Sequence, residues 1–431
     1  MLWILFLKEC KQMLKCLTYY VVLLCIILMY TTQLGTEKII NKPVAGQQDY
    51  GYAPSEDVTV IMNSTIMLLA REYQYNTYAT YPIGFYKEVT LSKAKQEEIG
   101  DVLSAVTGID RDKIDTRIKD YLEDKYFVSS NGDEVTYNVT TEGEVESPEV
   151  DDSEIRLEVA PRLTYEHFTI LMAKVNKLLG GGSSYAKDKL QGNAYVPQTY
   201  EQALEQYNEI IEKDLLTGAY ARLFCDYLGI VLAILPIFLA VTRGLRDRRA
   251  RAEEIIYSRK ASSLQIVMSR YFAMVIMLLI PVLMLGVFTE IGFISSGLKE
   301  GITVDYFAYP KYILAWLLPT IMITTSVGVF LTELTDTAIA IIVQGFWWFI
   351  SLLTGRLFGN CGWNLIPRHN RTGYYGVFRE YLGQFVMNRI TYTVVALLIL
   401  IASVLIYEMK RKGRLNLRGK IFSNRKVKSK A

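Results

Sequence analysis

Three polar residues stand where apolar chain surrounds them. Asp226 and Glu290 lie near the ends of long hydrophobic runs, and Gln344 lies in the middle of another. An ionisable or amide group at membrane depth can hold a proton, a cation or a polar ligand group. These three residues are therefore candidates for a transport path. The same positions also suit structural work, since an acid near an interface reaches water and a mid-span Gln bonds a neighbouring helix.

A second chemistry-bearing segment runs from Arg243 to Arg270 and holds eight Lys/Arg. It includes Arg246, Asp247, the acidic pair Glu253 and Glu254, the apolar pair Ile255 and Ile256, and then Tyr257, Ser258 and Arg259. The stretch is too polar to cross a bilayer. Positive charge alone would serve topology and attract anionic lipid. That role needs neither the acidic pair nor the apolar knob, and both fit a short helix on which another protein docks.

Catalytic patterns are missing from the sequence. The two histidines, His167 and His369, lie in different segments, and the five cysteines at 10, 16, 25, 225 and 361 form no C-x-x-C pair. No G-x-x-x-x-G-K-[ST] phosphate loop, zinc-binding helix or nucleophile elbow occurs. The chain is read as carrying no cofactor or metal and no nucleic-acid surface.

The elements that must position these residues follow from hydropathy and charge. Six apolar runs approach the ~20 residues that a helix needs to span the ~30 Å hydrocarbon core. They are Cys16–Leu34, Leu223–Val241, Val267–Phe293, Tyr312–Leu331, Ala338–Leu353 and Ile390–Tyr407. Between the first two, residues 34–220 hold 32 Asp/Glu against 18 Lys/Arg, whereas the rest holds 12 against 29. Basic residues gather before the first run, in the 243–270 loop and in the tail after Glu408. That asymmetry places both termini in the cytosol and residues 35–220 outside it. The first run lacks a small-x-small cleavage site and reads as an uncleaved anchor. Residues 1–15, apolar and then lysine-rich, suit a helix in the interface plane.

Within 35–220, helices are expected over Ser55–Tyr78, Ser92–Val106, Asp110–Lys125, Thr164–Leu179 and Thr199–Thr217. Strands are expected at Val135–Val139 and Ile155–Val159, flanking a solvated acidic loop over Glu142–Glu154. Asn63-Ser64-Thr65 and Asn138-Val139-Thr140 match the glycosylation tripeptide, which is common by chance. In the segment Gly355–Asn388, Arg356, Arg368, His369, Arg371 and Arg379 lie among aromatics, suited to interfacial anchoring or to an anionic cargo.

The stretch "EEIIYSRKASSLQIVMSRYFA", preceded by an arginine-rich turn with Asp, resembles the coupling region of type-2 ATP-binding-cassette (ABC) exporter permeases. "FLKECKQMLKCLTYYVV" resembles that family's interfacial helix and first span, and a large domain between spans one and two resembles its sodium- or peptide-export branch. The resemblance implies an all-α polytopic membrane protein of six transmembrane helices. Residues 1–34 would be the interfacial helix and first span, and 35–220 an extracellular, mainly helical α+β domain ending in a stalk helix. Residues 221–410 would hold spans two to six with a coupling loop at 243–266, and 411–431 a basic tail. It implies a bacterial plasma-membrane subunit that pairs with a second permease copy or paralogue. Separate cytosolic ATPase subunits holding ATP and Mg²⁺ would touch Arg246, Asp247, Glu253, Glu254, Ile255, Tyr257, Ser258 and Arg259. The competing reading is a membrane-anchored receptor or envelope assembly factor.

Overall fold

The computed structural model describes residues 2–35, 39–47, 49–82, 86–125, 157–354, 362–369 and 371–415. The apolar and basic N-terminal segment forms α1 (Leu2–Met13). Cys16, in extended conformation, then starts α2 (Leu17–Gln33), and the two axes meet at 72°. The contacts divide the chain into two compact units, Val44–Ala203 and the remainder, Met1–Pro43 with Leu204–Ala431.

The inserted unit is helical with short strands: β1 (Tyr52–Pro54), α3 (Val58–Tyr75), β2 (Tyr78–Thr80), β3 (Lys87–Val89), α4 (Lys93–Thr107), α5 (Arg111–Lys125), α6 (Tyr165–Leu178) and β4 (Tyr195–Pro197). Caps set its helix ends. The Asp57 carboxylate accepts from Thr59 N–H at 2.7 Å, and Thr164 Oγ1 accepts from His167 N–H. After α6, Gly180, Gly181 and Gly182 all take positive φ. A side chain at Gly182 would press on the Pro82 backbone, so the turn requires glycine there. Ile66, Leu69, Leu103, Ile118, Phe168, Met172 and Tyr185 form the core.

The two antiparallel pairs, β1 with β4 and β2 with β3, are three residues per strand, too short for alternation to register in the sequence. The expected strand at 135–139 and the acidic stretch 142–154 lie outside the described residues. Of the expected strand at 155–159, Leu157–Val159 are described and are not strand. Asn63 sits inside α3, where its Oδ1 accepts the Val159 N–H, a packing role for the first glycosylation match.

The chain returns through α7 (Tyr200–Asn208), whose last turn loosens into a π-helical turn at Glu209–Lys213. Leu215 and Leu216 then adopt left-handed φ of 50° and 57°, so the helix expected over Thr199–Thr217 stops short. The bundle follows: α8 (Thr217–Leu232), α9 (Leu235–Arg249), α10 (Glu253–Tyr257), α11 (Ser263–Lys299), α12 (Ala308–Tyr312), α13 (Leu318–Thr335), α14 (Ile339–Thr354) and α15 (Tyr375–Arg411).

Among the described residues, four helices are long and apolar enough to cross a membrane: Thr217–Arg249, Ser263–Lys299, Ala308–Thr335 and Tyr375–Arg411. The bent α1–α2 pair is a fifth if it counts as one span. The remaining expected span, Ala338–Leu353, corresponds to α14, which is not among these helices and whose 16 described residues reach about 24 Å.

Two local features shape the bundle. Gly244 on α9 lies against Thr332 of α13, and Gly328 on α13 lies against Ala240 of α9. A Cβ at Gly328 would stand 2.5 Å from that of Ala240, so small residues four apart let these helices approach closely. The helix α8–α9 breaks at Ala233–Ile234, ahead of Pro236, which has no N–H to donate. Side chains satisfy the carbonyls this frees. Gln344 Nε2 donates to Ala233 O at 2.6 Å, and Trp348 Nε1 to Ile230 O at 2.8 Å.

Candidate functional site

The basic segment builds one end of the bundle. The helix α9 carries Arg243 and Asp247 one turn apart, and α11 carries Arg270. Glu9 of α1 accepts two hydrogen bonds from Arg243, each 2.6 Å. Asp247 accepts from Arg243 at 3.1 Å and also pairs with Arg270. Arg246 reaches Gln12 of α1 at 3.0 Å. Nearby, Asp336 at the end of α13 pairs with Arg248 and with Lys410 of α15. Arg243 and Glu9 are only 10% and 14% exposed, so this is an interior lattice of charges and not a surface fringe. It ties α1, α9, α11, α13 and α15 together at one end.

Beyond this lattice the chain turns through Arg251, at φ 54°, into the single-turn helix α10. Glu254, Ile255, Ser258 and Arg259 are exposed there, Ile255 at 62%. Tyr257 turns inward and meets Tyr407 of α15 edge-on at 5.5 Å. A capping box at Ser262 and Gln265 starts α11. Of the eight residues expected to meet a partner, Asp247 and Tyr257 are committed within the bundle and Arg246 to α1. Glu254, Ile255, Ser258 and Arg259 form an outward face, with Glu253 half-buried beside them.

The three candidates for a transport path are separated. Asp226 is buried, accepts from Arg368 Nε at 3.0 Å and takes the His369 backbone N–H at 2.5 Å. Glu290 is 3% exposed and accepts the Tyr309 N–H at 3.0 Å. Gln344 braces the break at Ala233. Each carries out local structural work, and no bond joins one to another. Of the arginines between 355 and 388, Arg368 faces Asp226 and Arg371 donates to the Tyr374 hydroxyl at 2.7 Å, while Arg356 lies outside the described residues.

Several residues of weight were not among those the sequence singled out. Arg222 is fully buried, pairs bidentately with Asp214 and lies 4.8 Å from the Phe378 ring centre. Its place inside an apolar helix is itself a signal, since a buried guanidinium must find an acid. Arg389, 4% exposed, donates to Thr320 Oγ1 at 2.8 Å and to the carbonyls of Trp316 and Leu365. Glu9, Arg270 and Lys410 looked like ordinary flanking charges.

The inserted unit has a buried polar centre of its own. The Glu72 carboxylate accepts from the Tyr185 hydroxyl at 2.5 Å and from Ala79 N–H at 2.9 Å. Burial pushes the Glu72 carboxyl above its usual range, and those two bonds offset only part of the rise. Tyr185 is pushed up as well, by burial and by the facing carboxylate. Among the described residues no cluster of His, Cys, Asp and Glu is arranged to hold a metal ion.

The helices define a multi-pass membrane protein. Comparison with protein-family models, with curated proteins and with solved structures finds no match.

Proposed function

We propose that the chain is a permease subunit of a bacterial type-2 ABC exporter. It pairs with a second permease copy or paralogue, and separate ATPase subunits supply ATP hydrolysis from the cytosolic side. Both termini lie in the cytosol in this reading, and residues 35–220 form the extracellular domain. The observation that carries the reading is α10, a short helix standing off the basic end with Glu254 and Ile255 outward, on a loop held to α15 and flanked by helices that the charge lattice ties together. An apolar side chain beside an acid on an otherwise basic loop suits a complementary groove on a partner. Because the loop is braced by the charge lattice, force applied at α10 reaches the bundle instead of being absorbed by a slack linker.

The test is to replace Glu254 and Ile255 together by Ala and to purify the chain from its native membrane. The expected result is loss of a co-purifying ATP-hydrolysing subunit with the chain still folded. An undiminished complex with undiminished ATP-driven transport would reject α10 as the docking helix.

A further inference from the structure

The helix α15 holds the carbonyls of two irregular segments, one at its C-terminal end and one near its middle. At its C-terminal end Arg411 gathers three carbonyls, one from the last residue of α10 and two from the loop that follows it. Its Nε donates to Tyr257 O at 2.9 Å, Nη1 to Ala261 O at 2.7 Å and Nη2 to Arg259 O at 2.7 Å. One turn earlier, Tyr407 packs on Tyr257 and Glu408 pairs with the Ser263 hydroxyl. Near its middle the pattern recurs. Asn388 donates to Gly362 O at 2.7 Å and to Asn364 O at 3.0 Å, Arg389 to Leu365 O at 3.2 Å, and Tyr392 to Trp363 O at 2.5 Å.

Arg389 and Arg411 are about six turns apart, about 33 Å along the axis, close to the thickness of a bilayer core. No Gly or Pro lies between them. The other long helices are less stiff. The α8–α9 span is broken at Ala233–Ile234, α11 contains Pro281, and α13 is entered through a π-helical turn at Ile313–Leu317.

We infer that α15 is the rod that carries displacement of the loop 253–262 to the segment 362–369, with Arg411 and Arg389 as its couplings. The inference deepens the docking assignment above and rests on it for its use in transport. Arg411 is a positioning residue. A planar guanidinium can address three converging carbonyls at once, whereas an ammonium offers one point of charge on a shorter reach. The first of the three carbonyls ends a five-residue helix and the other two follow it, beyond the reach of its backbone bonds.

Hydrogen exchange on the full chain in lipid nanodiscs tests this without any ATPase, so its outcome is separate from that of the docking experiment. Arg411→Gln is expected to speed exchange of the 253–262 amides roughly tenfold. It should also speed exchange of 362–369 measurably, while Arg414→Gln, at an exposed position nearby, changes neither. Arg411→Lys keeps the charge and should still loosen the loop. This variant carries the test if Arg411→Gln yields no monodisperse protein. Because coupling is reciprocal, Asn388→Ala should loosen 253–262 as well. Unchanged loop exchange in both Arg411 variants would overturn the coupling. A loosened loop with 362–369 at wild-type exchange would overturn the rod.

Discussion

Glu9→Gln should free α1 from the bundle. Glu9 receives two 2.6 Å hydrogen bonds from Arg243, with Arg270 Nε a further contact at 3.7 Å. Removing one member of a buried ion pair costs about 3–5 kcal/mol, mostly because the other charge is stranded. Here Arg243 keeps Asp247 at 3.1 Å, and a glutamine can still accept one bond. About 2 kcal/mol of the attachment is therefore lost, or roughly 30-fold in the local opening equilibrium. Hydrogen exchange over residues 5–13 of the full chain in nanodiscs reads this directly, and protection should fall by that factor. The double variant Glu9→Met with Arg243→Met strands less charge at the pair and should recover most of the protection. The low exposure of both side chains predicts little change up to high salt, unlike a surface pair. Less than about threefold loss in Glu9→Gln, or a double variant equal to the sum of its singles, would refute the claim that this pair holds α1.

Three further outcomes are expected. Burial raises the Glu72 carboxyl above its ordinary 4.5, so the folded inserted unit favours the protonated form. Its stabilising contribution is full below 4.5 and is lost as pH rises through the raised value. Exchange protection of α3 should therefore decline upward from pH 4.5, and Glu72→Gln should flatten that slope; an unchanged slope would clear Glu72 of it. Gly328→Val must push α9 from α13, because even a Cβ there meets Ala240 at 2.5 Å, and a loss of about 1–3 kcal/mol should appear as a lower melting temperature in detergent. Gln344→Leu removes the 2.6 Å donor at the Ala233 carbonyl but also deletes a buried amide oxygen that has no partner, so a loss near 1 kcal/mol is expected in the same melt.

The helices of the inserted unit were legible because their ends are local chemistry. Asp57, Thr164 and the glycines at 180–182 fix where a helix starts and stops with bonds made inside a few residues. The break in the α8–α9 span was less legible. Pro236 warns that a carbonyl will be freed, yet the partners that accept the break, Gln344 and Trp348, come more than a hundred residues later.

The same separation explains the candidate path residues. Hydropathy says that a carboxyl or amide in an apolar run is costly, and so marks Asp226, Glu290 and Gln344, but it cannot say which group satisfies it. Arg368, the Tyr309 N–H and the Ala233 carbonyl do so, each from a different element. Charge count failed in a complementary way at the basic end. Arg243 and Arg270 belonged to the positive loop in the sequence, yet in the fold they are neutralised by Glu9 and Asp247. What remains outward includes Glu254, Ile255, Ser258 and Arg259 of the α10 turn, together with the exposed Arg249, Arg251 and Lys260 beside them. On the docking proposal, a loop whose flanking helices are tied by buried charges and whose carbonyls are held by Arg411 would transmit a push better than a slack tether.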